Sequence, residues 1–212
     1  MTTVTIGAGG DITGSGPNYS VLKESTPTVN IQTGGAVAAS YASGDRSHTL
    51  FSTPGFSSVL AFLGLSAPVV VNSASLAMHN FDNGGSGTTR NFDLHQVIVN
   101  TTETQATWNV RQTATNWTTA GALGSSDVNL TALASVSAWA LNATNSFSGA
   151  SVASYVEGIL NGTITNQGVL LVRNSDTAYD TQYEIFDNFL WTLDVVAGSS
   201  PTSYYLSDTV EM

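Results

Sequence analysis

Two tryptophans stand in polar company, where their rings could do binding chemistry. Trp108 sits in Ala106-Thr107-Trp108-Asn109-Val110-Arg111, and Trp117 follows in Asn116-Trp117-Thr118-Thr119-Ala120-Gly121. An indole face stacks on the apolar face of a sugar ring, and a neighbouring amide such as Asn116 hydrogen-bonds the ring hydroxyls. The other reading of both rings is packing: an indole brings a large area to bury, and a Thr-Trp box can plug one end of a sandwich. Trp139 and Trp191 lie in apolar runs and read as core. Two acidic turns offer the oxygen ligands that calcium takes from loops, Asp176 and Asp180 near Asn174, and Asp82 beside Asn83. Neither has the full Asp-x-Asx-x-Asx-Gly spacing, so the competing reading of each is a solvated acidic loop. No cofactor is implied beyond such a calcium ion. His48, His79 and His95 form no His-x-x-x-His pair and no His-Glu-x-x-His motif, and they read as structural. His79 and His95 are expected on or near neighbouring strands. There is no Gly-x-Ser-x-Gly elbow, phosphate-binding loop or dinucleotide fingerprint. Nothing here assembles an acid with a base, and the chain reads as a non-enzyme.

Composition narrows the classes further. The 212 residues suit one domain with a sizeable core, and 42% of them are hydrophobic. Only 9% are charged, against about 25% in an ordinary soluble domain. Ser, Thr, Asn, Gly and Ala take the place of the charges, which suits a rigid β-protein with a neutral polar surface. Lys+Arg is 5 and Asp+Glu is 15, for a net charge of −10. Five scattered cations do not make the basic face that displaces counterions from nucleic acid, and the negative balance opposes anionic membranes. With no cysteine, disulfides, Cys–zinc sites and thiol nucleophiles are excluded. Met1-Thr-Thr-Val-Thr-Ile-Gly has neither a basic nor an apolar signal region. The expectation is a complete soluble product made in a cytoplasm; the alternative is a processed secreted fragment with an added Met. The greasiest runs, 59–63 and 68–71, are far shorter than a membrane span.

The elements that must position these residues are mostly strands. Short apolar segments are cut every ten residues or so by Gly, Asn, Ser, Thr and Pro, the punctuation of a β-sandwich or barrel. Strands are expected at 28–32, 36–42, 49–52, 58–63, 73–80 and 91–99, then around 107–110 and 116–118. Further strands are expected at 168–173 and within 183–196, which could hold one or two, and 136–143 reads as a strand or an apolar turn. In 73–80, Ala74, Leu76 and Met78 fall on one face and Ser73, Ser75 and Ala77 on the other. In 91–99, Phe92, Leu94, Val97, Ile98 and Val99 mark buried positions. One segment has helical period: Val152, Tyr155, Val156, Ile159 and Leu160 recur at i, i+3, i+4, i+7 and i+8. Ser151 is its expected N-cap and Asn161-Gly162 its stop. The fold class is therefore all-β, an antiparallel β-sandwich or jelly roll with one short amphipathic helix. Residues 1–19 read as a Gly-rich arm or edge strand, 20–197 as the sandwich, and 198–212 as a C-terminal arm. Tyr204, Tyr205 and Leu206 in that arm form an apolar cluster that is expected to dock at an interface.

Several of these stretches resemble DNRLRE-type domains, β-sandwiches related to the disaggregatase repeat and to some carbohydrate-binding modules. Ser57-Ser58-Val59-Leu60-Ala61-Phe62 followed by Val71-Asn72-Ser73-Ala74-Ser75-Leu76-Ala77-Met78 is similar to the family's opening hairpin. The Thr-Trp-Asn box, a second Trp nine residues on and a Gly match Trp108, Trp117 and Gly121. A helix before Asn166-Gln167-Gly168-Val169-Leu170-Leu171 matches the next feature, and Glu24-Ser25-Thr26-Pro27-Thr28-Val29-Asn30 is similar to an early family turn. The resemblance spans roughly residues 20–196. It departs at Ser57, Ser58 and Gly64, and at Phe186-Asp187-Asn188-Phe189, so it implies a fold and carries over no binding residue.

Such sandwiches also serve in phage fibres and capsid decoration proteins. The leading expectation is a non-enzymatic bacteriophage virion protein of decoration, cement or head-fibre type, located in the virion after synthesis in the host cytoplasm. Its partners would be the major capsid protein or neighbouring virion subunits, further copies of itself, and host-surface glycans, with no nucleic acid and no membrane. The alternative is a carbohydrate-binding module using Trp117, Asn116 and Trp108.

Overall fold

A computed structural model of the chain describes residues 2–6, 18–23, 31–33, 37–38, 46–51, 56–82, 90–102, 105–140, 142–173 and 185–198. In chain order its elements are β1 (Thr2–Ile6), β2 (Asn18–Lys23), β3 (Ile31–Thr33), β4 (Val37–Ala38), β5 (Ser47–Phe51), α1 (Ser57–Leu63), β6 (Val69–Asp82) and β7 (Arg90–Gln96). There follow β8 (Val110–Gln112), β9 (Thr115–Asn116), β10 (Ala134–Trp139), β11 (Ala143–Ser148), α2 (Ala150–Leu160), β12 (Val169–Arg173) and β13 (Ile185–Ala197). The first sheet has the order β1-β13-β6-β11, with β4 also on β13, and the second has the order β10-β7-β12-β5-β2-β3. Every pairing between these strands is antiparallel. The fold is an antiparallel β-sandwich.

The main core lies between the sheets. Leu76 and Met78 of β6, Trp191 and Leu193 of β13 and Phe147 of β11 face Phe92 and Leu94 of β7 and Val169 and Leu171 of β12. The alternation read in 73–80 holds: Ala74, Leu76 and Met78 are buried, while Ser73 is exposed and Ser75 and Ala77 are half-buried. Trp139 ties the layers together. Its ring meets Phe92 of one sheet and Phe147 of the other edge-on, with centroids 5.9 and 5.8 Å apart. Its Nε1–H donates to Ala143 O at 2.9 Å, so the indole is buried with its polar atom satisfied.

Some elements differ from the sequence expectation. Residues 57–63 form a helix, not a strand. A short apolar run has no period that separates the two, and only Val59 in it is β-branched. The context decides: Phe56 and Val59 insert into the core, with Leu60 and Leu63 packed against it. Gly64, at φ +65°, then ends the helix, with Gly64 N–H donating to Ala61 O and Leu65 N–H to Leu60 O. That pair of bonds is a Schellman stop, which favours glycine because of its left-handed backbone. The helix α2 falls where its periodicity placed it, but its N-cap is Gly149, and Ser151 is an exposed residue of the first turn. Ile98 is exposed rather than buried, since Val97 beside it takes the buried position, under the segment that covers the second sheet's outer face. Residues 185–197 are one long strand, and β11, too polar to read as a strand, is the edge partner of β6.

The placement of α2 rests on an unusual edge. β11 pairs with β6 only from Ser75 onward, leaving the upstream edge of β6 open on that side. Side chains of α2 and its cap close it. Asn161 accepts from Val69 N–H through Oδ1 at 2.8 Å and donates to Val69 O through Nδ2 at 2.9 Å, and Glu157 Oε2 accepts from Val71 N–H at 2.8 Å. A helix thus stands in for a missing strand, covering an edge that would otherwise invite pairing. The variant Asn161→Ala removes a donor and an acceptor at once. It is expected to cost about 1–3 kcal/mol, lowering the melting temperature by several degrees in a calorimetric scan. An unchanged melting temperature would show that the ladder is dispensable.

Candidate functional site

The tryptophan box builds a second core. Strand β12 is buried on both faces, with Val169 and Leu171 in the inter-sheet core and Leu170 and Val172 pointing the other way. On that outer face they join Leu50 of β5, Leu22 of β2, Val97 and Val128, and the layer is closed by Trp108 and Trp117. This is why β12 reads as a continuous apolar run. The box therefore covers the outer face of the second sheet, where the sequence had suggested a plug at one end of the sandwich.

Backbone geometry holds each indole. Gly121, at φ +82°, lies flat against Trp108, and a Cβ there would stand 2.6 Å from Trp108 Cη2. Gly121 N–H donates to Trp108 O at 2.7 Å, while Gly121 O is hydrogen-bonded to His48 Nδ1. The His48 ring packs on Trp108 at 4.9 Å and the Arg46 guanidinium lies 5.3 Å from the same indole. Trp117 Nε1–H donates to Thr107 O at 2.8 Å. Asp127, 2% exposed, ties the following loop: Oδ1 accepts from Thr118 N–H and Oγ1–H, both at 3.0 Å, and Oδ2 from Thr119 N–H at 3.1 Å. The carboxylate serves as an internal anchor.

Trp108 and Trp117 are only 4% and 5% exposed, so neither ring face is open to a sugar. Asn116 is exposed at the end of β9, without an indole platform beside it. Of the three proposed glycan contacts, the structure assembles no stacking surface, because the outer face of the second sheet claims the aromatic area. Tyr204, Tyr205, Leu206, Asp176 and Asp180 lie outside the described residues. Among the described residues no group of three or more His, Cys, Asp or Glu could hold a metal ion. His79 and His95 do not sit on neighbouring strands. They belong to β6 and β7 in different sheets, and His95 Nδ1 is hydrogen-bonded to Asn129 O at 3.0 Å.

The accessible candidate surface is the outer face of the first sheet. Its rows run across three strands, Thr192 of β13 beside Ser75 of β6 beside Ser148 of β11, then Leu190 beside Ala77 beside Ser146. Every one of these side chains is small or uncharged. At one end the ladder is interrupted, because β6 carries an extra residue between Val71 and Ser73, opposite Val195 and Asp194. There a cleft of about 430 Å³ opens between Asn72, Ser75, Thr192, Ser148 and the start of α2. No family model matches this chain, and no curated protein or solved structure matches it either. The face and the cleft therefore have to be read from their own chemistry. Sequence reading missed them because Ser, Thr and Asn are abundant throughout; only the cross-strand register gathers these particular ones. The alternation in 73–80 was the single available signal, since it placed Ser75 and Ala77 outward.

Two outcomes test this assignment. Gly121→Ala forces a Cβ into Trp108 and is expected to destabilise by about 1–3 kcal/mol in urea unfolding, the cost of an overpacked core. With all four tryptophans at 5% exposure or less, iodide should quench their fluorescence only weakly. Strong quenching of the native protein would put at least one indole at the surface.

Proposed function

We propose that this chain is a non-enzymatic structural protein of a bacteriophage virion, of the capsid decoration, cement or head-fibre kind. It would be made in the host cytoplasm and joined to the major capsid protein or to neighbouring virion subunits, copies of itself included. The resemblance to DNRLRE-type domains belongs to the same proposal, and an antiparallel sandwich is the framework such a domain would supply.

The observation that supports it best is the rowed face of β13, β6 and β11. Thr192–Ser75–Ser148 and Leu190–Ala77–Ser146 are rows without a charge. Covering these two rows desolvates no ion and freezes few rotamers, since Ser, Thr and Ala lose little side-chain entropy. Hydroxyls at its rim can be satisfied by bridging water. A surface of this kind suits permanent contact with a neighbour. Attachment at many points on a shell would then turn modest contacts into stable ones. The carbohydrate-binding alternative gains nothing from Trp108 and Trp117, whose rings are buried.

The test is co-sedimentation with particles of the source phage assembled without this protein. The purified chain should pellet with them at many copies per particle. Ser146→Lys, a change at an exposed position of β11, should weaken that binding about tenfold by placing an unpaired charge in the contact. A wild-type chain that stays in the supernatant would end the assembly reading.

A further inference from the structure

Strand β11 presents an open edge on one flank of the sandwich. Among the described residues it pairs with β6 alone, over all six of its residues and without a bulge. Its other side therefore carries the unpaired N–H and C=O groups of an edge strand, a template for a further strand. The neighbouring edges on this flank are guarded. Upstream of Ser75, β6 is closed by Asn161 and Glu157. The edge of the second sheet is β10, which packs on β11. Its register shifts between Val136 and Trp139, and Ala138 there turns to φ +54°, with its N–H donated to Asn91 Oδ1 at 2.8 Å. An irregularity of that kind spoils an edge for pairing. No such device is built into β11: Ala-Thr-Asn-Ser-Phe-Ser contains no proline, no glycine and no charge.

The charge pattern selects the partner. The net charge is −10, so two copies of the chain repel wherever their acidic residues face each other. Residues 128–156, which cover β10, β11 and the start of α2, hold no Asp, Glu, Lys, Arg or His. Two copies approaching through this flank meet without like charges between them. Symmetry then fixes what touches what. In an antiparallel pair of β11 strands about a two-fold axis, residues of one face oppose residues of the same face. Thr144, Ser146 and Ser148, all exposed, meet one another, while Phe147 stays in its own core. With the axis at Asn145 or at Ser146, Ser146 stands opposite the second copy's Thr144 or Ser146. The turn that follows β11, Gly149-Ala150-Ser151, brings only small side chains against the added strand. An unrelated strand could add to the same edge, but it would cover one copy where self-pairing covers two. Pairing uses the same edge on both copies, so the association closes at two.

We infer that β11 is a self-association edge: two copies of this chain join antiparallel through it, and their first sheets become one continuous sheet. The rows Leu190–Ala77–Ser146 and Thr192–Ser75–Ser148 then run on into the second copy. The inference names the partner for that part of the assembly reading which joins copies of this chain, and rests on that part alone. A six-residue edge is small beside the ~1,200 Å² of a standard interface, so the dimer should be reversible, with a Kd in the micromolar range. Sedimentation velocity of the full chain should show monomer converting to dimer across that range. Ser146→Asp should weaken dimerisation about tenfold or more by setting like charges across the axis, and added salt should partly restore it. Ser125→Asp, exposed on the roof of the second sheet, should dimerise like the wild type. The chain has no cysteine, so a variant carrying Thr144→Cys with Ser146→Cys reports the pairing directly. Mild oxidation should link it as a disulfide dimer in either register, while Ser125→Cys stays monomeric. A wild type that is monomeric throughout, a dimer that Ser146→Asp leaves intact, or no cross-link through positions 144 and 146 would overturn the inference. A chain that dimerises but stays in the supernatant with phage particles keeps this pairing and ends the virion reading; a monomer that pellets with them does the reverse.

Discussion

The arrangement depends on three hydrogen bonds from two side chains. Asn161 and Glu157 close the edge of β6 at Val69 and Val71, where no strand among the described residues does so. This contact holds α2 against the first sheet, and α2 in turn carries Val152, Tyr155, Val156 and Leu160 into the inter-sheet core. Backbone groups at a sheet edge need partners, and a helix can supply them only through side chains of the right length at the right turn. An Asn at the C-cap and a Glu one turn earlier meet that requirement. Because the same helix begins just after β11 ends, fixing its C-terminal half on β6 leaves its N-terminus at the bulge. The cleft is the gap between the strand ladder and the side-chain ladder.

The second sheet is stabilised differently, from both sides. Its inner face packs on the first sheet, and its outer face is roofed by the Trp108–Trp117 segment. The roof is polar in sequence yet stays in place because its polar atoms are paired. Trp117 Nε1 reaches Thr107 O, and Asp127 gathers three bonds from Thr118 and Thr119. Gly121 permits the backbone to touch Trp108, so the indole is covered while the backbone carbonyl of Trp108 accepts from Gly121 N–H. The aromatic groups that look most like a binding platform are in this way committed to the core. What remains exposed on the first sheet includes the uncharged rows Thr192–Ser75–Ser148 and Leu190–Ala77–Ser146.

Much of the fold was legible in the residues, though little of the candidate site was. The two-residue alternation at Ala74, Leu76 and Met78 and the 3.6-residue spacing at Val152, Tyr155, Val156, Ile159 and Leu160 report local geometry, and the chain adopts both. The helix at 57–63 was not legible because Val59-Leu60-Ala61-Phe62-Leu63 is apolar throughout and offers no period to read. Strand β11, Ala-Thr-Asn-Ser-Phe-Ser, has a single large apolar residue, so its pairing with β6 had no local signal. The tryptophans show the same limit from the other side, since their polar neighbours describe exposure of the backbone turn and not of the rings.

By itself, then, the sequence determined an antiparallel β-sandwich, a helix at 150–160 and a chain poor in charge, because these follow from short-range periodicity and composition. Only the tertiary structure decided that Trp108 and Trp117 roof the second sheet, that Asn161 and Glu157 replace a strand, and that Asn72, Ser75, Ser148 and Thr192 come together. Each of those outcomes joins residues far apart in the chain through register and edge pairing. Register is set by the whole hydrophobic pattern of two strands at once, and no single stretch of sequence contains it.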